Sequence, residues 1–361
     1  MSAADGVTAR HTPPERRTAG RREAPRAPDS TRRFALFLAG VCLLIVLLVV
    51  VSLVVGANMV TLPVLFDTLA GRGTEESRFI LLDQRVPRTV AALVVGAGLG
   101  GAGALIQAVT RNPLADPGIL GVNAGAAAAV AAAIVFLGVT SPSQYVWFAY
   151  AGAFVLTVAV FLLGSAGPRR TDPLTLTFAG LAVGAVFSGL TTGLTLTNPA
   201  AFERMLGWSA GSLLGRGFDV TTPVLLPLVA GVALAVAIGP ALNALALGDD
   251  VATGHGVSVQ HTRLLAVIAV TLLAGTATAV AGPISFVGLM MPHVVRWMVG
   301  VDHRRIIAGS IVAAPALVLL SDIVGRLVAL PAEMPVGIVT AFVGAPVLVV
   351  LVRRNRRVTG L

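Results

Sequence analysis

Residues 83–121 read DQRVPRTVAALVVGAGLGGAGALIQAVTRNPLADPGILG: two arginines, then an apolar run rich in glycine, then a polar stretch broken by prolines. The uncharged run, roughly 90–108, has the length a helix needs to cross a hydrocarbon layer. Similar runs recur at roughly 34–56, 119–139, 145–164, 174–197, 220–247, 264–282, 284–300, 306–325 and 335–352. The whole chain is 56% hydrophobic and only 12% charged, where a soluble domain carries about 25% charged residues. The pattern predicts an all-α, polytopic membrane protein with about ten transmembrane helices.

The charged residues narrow the chemistry. All 26 basic residues are arginine, and lysine is absent. A phosphate-binding loop of the Walker type needs a lysine to reach the phosphates, and Schiff-base chemistry needs one as nucleophile. The chain is therefore not its own ATPase and not an enzyme of either kind. Its one cysteine, Cys42, lies inside the first apolar run and has no partner in the chain for a disulfide or a thiolate metal cluster. No paired carboxylates, Ser/His/Asp arrangement or metal-spaced cluster stands out, so no catalytic, cofactor or metal site is expected. The high pI, near 11.4, does not point to nucleic acid. The arginines gather at the termini and between apolar runs, where they set topology.

Residues 1–33 hold eight arginines and no apolar run, which predicts a disordered cytoplasmic tail. The twin arginine in STRRFALFL is read as a cytoplasmic anchor rather than an export signal, because many spans follow it. The chain closes on RRNRR (353–357), so the spanning domain is placed at 34–353 and a second cytoplasmic tail at 354–361. Both termini inside requires an even number of spans, and ten satisfies this. Arg169, Arg170, Arg304 and Arg305 then also fall inside. The 284–300 segment is the weakest, being short and carrying His293 and Arg296; were it re-entrant, every later segment would flip.

On this count Arg85, Arg88 and Arg326 face outward, against the usual bias. Two readings are open: snorkelling or pairing with a nearby acid such as Asp83 or Glu333, or docking of an acidic extracytoplasmic partner, which suits the planar guanidinium fork. Gly96 and Gly100 form a GxxxG pair. Gly180, Gly184, Ser188 and Thr192 recur on one face of the fifth span, as an intramolecular packing face, a subunit interface or a transport path. In the loop Leu247–Arg263, Asp249 can cap a short helix that Gly254 and Gly256 break; it is either a linker or a segment pushed by a cytoplasmic partner. Asn112 is expected to cap a helix starting at Pro113, and Glu333 to favour the dipole at the start of the tenth span. Asp322 and His293 are the only near-candidates for an ion-coupling residue, and both sit towards span ends. That poverty disfavours an ion-driven secondary transporter and points to an outside energy source. A receptor or structural role is a third possibility.

Four stretches, taken together and in order, resemble the permease subunit of type II ATP-binding-cassette importers, the iron-siderophore and cobalamin uptake family. They are RVPRTVAALVVGAGLGGAGALIQAVTRNPLADPGILGVNAGA (85–126), WSAGSL (208–213), GPISFVGLMMPHVVRWMVGVDHRR (282–305) and SDIVGRLVALPAEMPVGIVTAFVGAPV (321–347). The resemblance covers about residues 34–353. It implies a cell-membrane subunit of ten helices that pairs with a second permease, identical or similar. Two ATPase subunits would dock inside and a substrate-binding protein outside, with a ferric siderophore as cargo and cobalamin or haem as alternatives. It further implies that Arg85, Arg88 and Arg326 meet glutamates of the binding protein. The segment Asp249, Asp250, Ala252, Gly254, His255, Gly256 would couple to the ATPase. His255 stands where the family usually has leucine, which makes that contact more polar.

Overall fold

The computed structural model describes residues 30–56, 58–165 and 173–359. Most of the arginine-rich N-terminal segment and the Arg169–Arg170 pair lie outside the described residues, as do the side chains of Arg353–Arg357. The elements are α1 (Ser30–Val54), α2 (Leu62–Leu69), α3 (Glu75–Arg78), a π-helical turn (Phe79–Arg85), α4 (Val86–Thr110), a 3-10 turn (Pro117–Leu120), α5 (Val122–Leu137), α6 (Pro142–Ser165) and α7 (Pro173–Thr197). There follow α8 (Pro199–Ser209), α9 (Phe218–Thr221), α10 (Leu225–Ala246), α11 (Asp249–Gly254), α12 (Val259–Ala281), α13 (Val287–Val299), α14 (His303–Val328) and α15 (Val336–Thr359).

Each of the ten expected segments coincides with a helix. Seven stretches are long and apolar enough to cross a membrane, and three shorter apolar helices, Val122–Leu137, Val287–Val299 and Val336–Val350, complete the set. All-α architecture is thus what the composition predicts, since in lipid only a helix satisfies its own backbone polar groups segment by segment.

The centre is α4, packed on α12, α13 and α14. It can be central because its glycines let other backbones touch it. A Cβ on Gly103 would overlap the carbonyl of Gly288, and one on Gly100 would overlap that of Ser310. Close backbone approach of this kind replaces the hydrophobic effect as the source of helix association in lipid. The Gly96–Gly100 pair is therefore an intramolecular packing face: Gly96 lies against Pro315 and Gly100 against Ser310.

The weak 284–300 segment runs through the bundle in two parts. α13 has 13 residues, about 20 Å of helix at 1.5 Å per residue. The non-helical stretch 282–286 leads into it. It leaves α12 beside Trp208, where the Ser212 amide donates to the Ala281 carbonyl (2.8 Å). It enters α13 beside Leu99 and Gly103, midway along α4. Non-helical backbone at such depth is tolerated where protein covers it, and Ile284 and Val287 are buried. α14 then starts next to the end of α10, the His303 amide donating to Asn243 Oδ1 (2.8 Å). The start of α1 and the far end of α15 lie at one end of the bundle. The start of α4, the end of α1 and the end of α14 lie at the other.

Two local expectations change. The capping residue after α4 is Asp116, whose Oδ1 accepts from the Gly118 amide (2.8 Å) at the head of the Pro117 turn. Asn112 instead closes a turn onto the Leu114 amide (2.9 Å), and no helix begins at Pro113. The second proline, not the first, occupies the first turn of a helix.

Candidate functional site

At the end where α4 begins, Arg85 and Arg88 converge with Arg326, brought from the end of α14. Arg88, in the first turn of α4, sends Nε and Nη2 to Asp322 on α14 (2.7–3.1 Å) and Nη1 to Glu333 Oε2 (2.5 Å). Arg326 lies one turn after Asp322 and pairs with Oδ2, which it shares with Arg88 Nε. Arg326 Nη1 also donates to the carbonyls of Ser52 (2.8 Å) and Val55 (3.2 Å). Arg85 Nη1 donates to the carbonyls of Leu53 (2.6 Å) and Val54 (2.8 Å), and its Nη2 to that of Asn58. The carbonyls of Ser52, Leu53 and Val55 lie at the end of α1, where acceptors lack an intrahelical partner and the helix dipole is negative; Val54 also accepts from the Val60 amide, and Asn58 lies in the loop beyond. Arg85 and Arg326 thus cap α1 as well as facing one another across the cluster.

All three arginines are buried, at 7%, 9% and 2% exposure, yet all three line a cavity of about 430 Å³ that also takes in Arg216, Asp219 and Glu333. A side chain entering the cavity therefore reaches groups that the outer surface alone does not present. Glu333 departs from the helix-dipole expectation: it stands before α15 and turns to Arg88, because a buried guanidinium attracts a carboxylate more strongly than a partial dipole charge does. Asp83 lines the cavity, but the carboxylates bound to the cluster are Asp322 and Glu333. Sequence reading placed Asp322 among ion-coupling candidates and missed its pairing. The signal was the Asp322–Arg326 spacing of one helical turn.

At the opposite end, the six residues Asp249–Gly254 form α11, an exposed knuckle between α10 and α12. Gly248 (φ +118°) and Gly256 (φ +78°) bracket it. Ala252 is fully buried, while Asp250, Gly254, His255 and Gly256 face outward. His255 Nδ1 sits 2.8 Å from the Val251 carbonyl. Asp249 is the first residue of this helix rather than its cap. Its carboxylate is taken by two guanidiniums, Arg111 just after α4 and Arg263 on α12 (3.0 Å). α11 is thereby pinned to the end of the central helix. Asp249→Asn is expected to raise amide exchange across 249–257 about fivefold, equivalent to about 1 kcal/mol for a half-exposed pair, with the melting temperature of the bundle unchanged. Equal exchange in both proteins would show that the pairs do not hold the knuckle.

The four-residue stripe on α7 divides. Gly180 is buried against the Ile119 carbonyl, and Gly184 is half-buried near Ala124. Ser188 and Thr192 are exposed, and Thr192 Oγ1 donates within its own helix to the Ser188 carbonyl (2.9 Å). Only the first half of the stripe packs within the subunit. Phe178, Val186 and Leu196 on α7 and Phe342 on α15 are two-thirds exposed or more.

Known proteins share this architecture and sequence. The FecCD transport family matches residues 43–354. The ferric enterobactin transport system permease protein FepD of Escherichia coli is 44% identical over 323 residues, covering 90% of this chain and 96% of that protein. The probable siderophore transport system permease protein YfiZ of Bacillus subtilis is 38% identical, covering 88% of this chain and 96% of that one. Among solved structures, an inward-facing metal-chelate type ABC transporter superposes with a TM-score of 0.77 at 28% identity, over 89% of this chain and 99% of that chain.

Proposed function

The chain belongs to the FecCD transport family, and from that premise we propose that it carries a ferric siderophore inward, taking it from an extracytoplasmic binding protein and driven by separate ATPase subunits. It is a multi-pass membrane permease of the ATP-binding-cassette importer class. The ATPase partner works on the α11 knuckle through its outward-facing residues Asp250, Gly254, His255 and Gly256, and Asp249 passes the displacement to Arg111 and α4. The binding protein docks at the other end, over the cavity that Arg85, Arg88 and Arg326 line. A second permease subunit covers the apolar faces of α7 and α15. The named cargoes of FepD and YfiZ support a siderophore over cobalamin or haem. The observation that carries this reading is the polarity of α4: an arginine cavity at its first turn, and an ion-paired knuckle suited to a cytoplasmic partner at its last.

A single pair of labelling sites tests docking and sidedness together. Leu214 on the cavity rim is 59% exposed, and Thr253 on α11 is exposed. With Cys42 replaced by serine, Leu214→Cys is expected to react with a bulky impermeant maleimide from outside right-side-out vesicles, and the adduct to block binding-protein docking. Thr253→Cys is expected to react only after the vesicles are opened. Labelling with undiminished docking would remove the docking site. The reverse labelling pattern would invert the topology and remove both partner assignments.

A further inference from the structure

We propose that Arg216 is a fourth anion-accepting arginine of this cavity, and that the group it takes is a carboxylate side chain of the extracytoplasmic binding protein. The inference rests on the docking reading above and adds a residue that neither charge bias nor motif had marked.

Arg216 differs from its three neighbours in how little it is bonded to: Arg88 and Arg326 pair with carboxylates, and Arg85 holds three backbone carbonyls. It is 8% exposed, yet among the described residues no carboxylate lies within salt-bridge distance of its guanidinium. Its hydrogen bond is a long one, from Nε to the Ser212 carbonyl at 3.4 Å. Asp219, three residues on, lies close enough for its charge to favour that of Arg216 but makes no direct pair. Taking a charged group out of water without a partner is costly, and burial weakens the hold of Arg216 on its proton relative to an ordinary arginine. Such a group gains the most from an incoming anion.

The position is also held in advance. Arg216 stands between Gly215, at φ +68°, and Gly217. The loop carrying it is tied to two neighbours: the Ser212 amide donates to Ala281, and the Gly337 amide donates to the Gly211 carbonyl, both at 2.8 Å. Leu213 is fully buried. Little ordering remains to be done when a ligand arrives.

The surroundings favour a protein over a small anion. Leu214 lines the cavity at 59% exposure, and Phe218, between the lining residues Gly217 and Asp219, is 48% exposed. A desolvated arginine with an exposed leucine and an exposed phenylalanine on the same loop has the make-up of an interface hot spot. A bare anion has no use for those apolar neighbours.

The test uses the assembled permease–ATPase complex in nanodiscs and the purified cognate binding protein, with and without its ferric chelate. Arg216→Glu is expected to weaken docking of both forms by about tenfold or more, with Arg216→Lys intermediate and a single monodisperse chromatographic peak of the assembled complex as the check on folding. Arg72→Glu reverses an exposed charge on the α2–α3 connection, outside the cavity, and is expected to leave docking unchanged. If Arg216→Glu leaves docking intact while the Leu214→Cys adduct blocks it, the assignment of Arg216 fails and the docking reading stands. If neither has an effect, both fail. If Arg216→Glu spares docking but slows release of the chelate into the membrane subunit, the residue serves an anionic cargo and the proposal is overturned.

Discussion

Asp322→Asn is expected to cost about 3–5 kcal/mol of stability, the usual loss when one partner of a buried ion pair is removed. The carboxylate is wholly buried and faces two guanidiniums, Arg88 at 2.7 Å and Arg326 one turn along its own helix. Asparagine fills the same space but leaves the buried Arg88 and Arg326 with Glu333 as the remaining carboxylate. The desolvation already imposed on Arg88 and Arg326 is then unopposed. The consequence reaches α1, because the oriented Arg326 holds the Ser52 and Val55 carbonyls. Detergent-solubilised protein should lose its monodisperse chromatographic peak at a markedly lower temperature. Glu333→Gln should shift that temperature far less, since its side chain is 22% exposed and water can replace it. Combining Asp322→Asn with Arg326→Met should recover part of the loss, the coupling expected of residues in direct contact. An Asp322→Asn protein as heat-resistant as the parent would mean that the cluster does not stabilise the fold.

Gly103→Val should be nearly as damaging for a different reason. At this point α4 meets the backbone of α13 itself: an added Cβ would overlap the Gly288 carbonyl, with the Gly288 carbon behind it. A flexible side chain could swing aside; a backbone carbonyl at a helix start cannot, without dragging α13 and the non-helical 282–286 stretch with it. Overpacking of a tight core typically costs about 1–3 kcal/mol per substitution, and the two methyl groups of valine add to what the Cβ alone requires. Both thermal stability and transport should fall. Gly40 on α1 is the control, since a Cβ there meets nothing within 4 Å. Gly40→Ala is expected to be neutral or to add about 0.5–1 kcal/mol, by removing unfolded-state freedom from a helical position. Equal effects at the two positions would show that the α4–α13 approach is not tight.

The arginine cluster divides what could be read from the chain from what could not. Charge bias alone marked Arg85, Arg88 and Arg326, because guanidiniums on the disfavoured side of a membrane need a reason. Their neutralisation was not readable. Arg88 and Asp322 are 234 positions apart, and no local pattern links them. Arg216, Arg111 and Arg263 passed unremarked, since a single arginine in a loop or near a span end is an ordinary topology signal. Asp249 was placed on the right helix but given a capping role, because only the fold brings two guanidiniums to it. The stripe on α7 was read as one surface, whereas its first half is packed and its second exposed, a distinction set by where Ile119 happens to pass.

Hydropathy and length determined the ten apolar helices and the all-helical class, because a segment in lipid must satisfy its backbone by itself and so carries its structure in its own residues. The pairing of ends was decided only in three dimensions. Which carbonyls an arginine caps, which carboxylate it faces and which backbone a glycine admits depend on neighbours brought from distant parts of the chain, and buried polar groups choose partners by proximity after folding rather than by spacing before it.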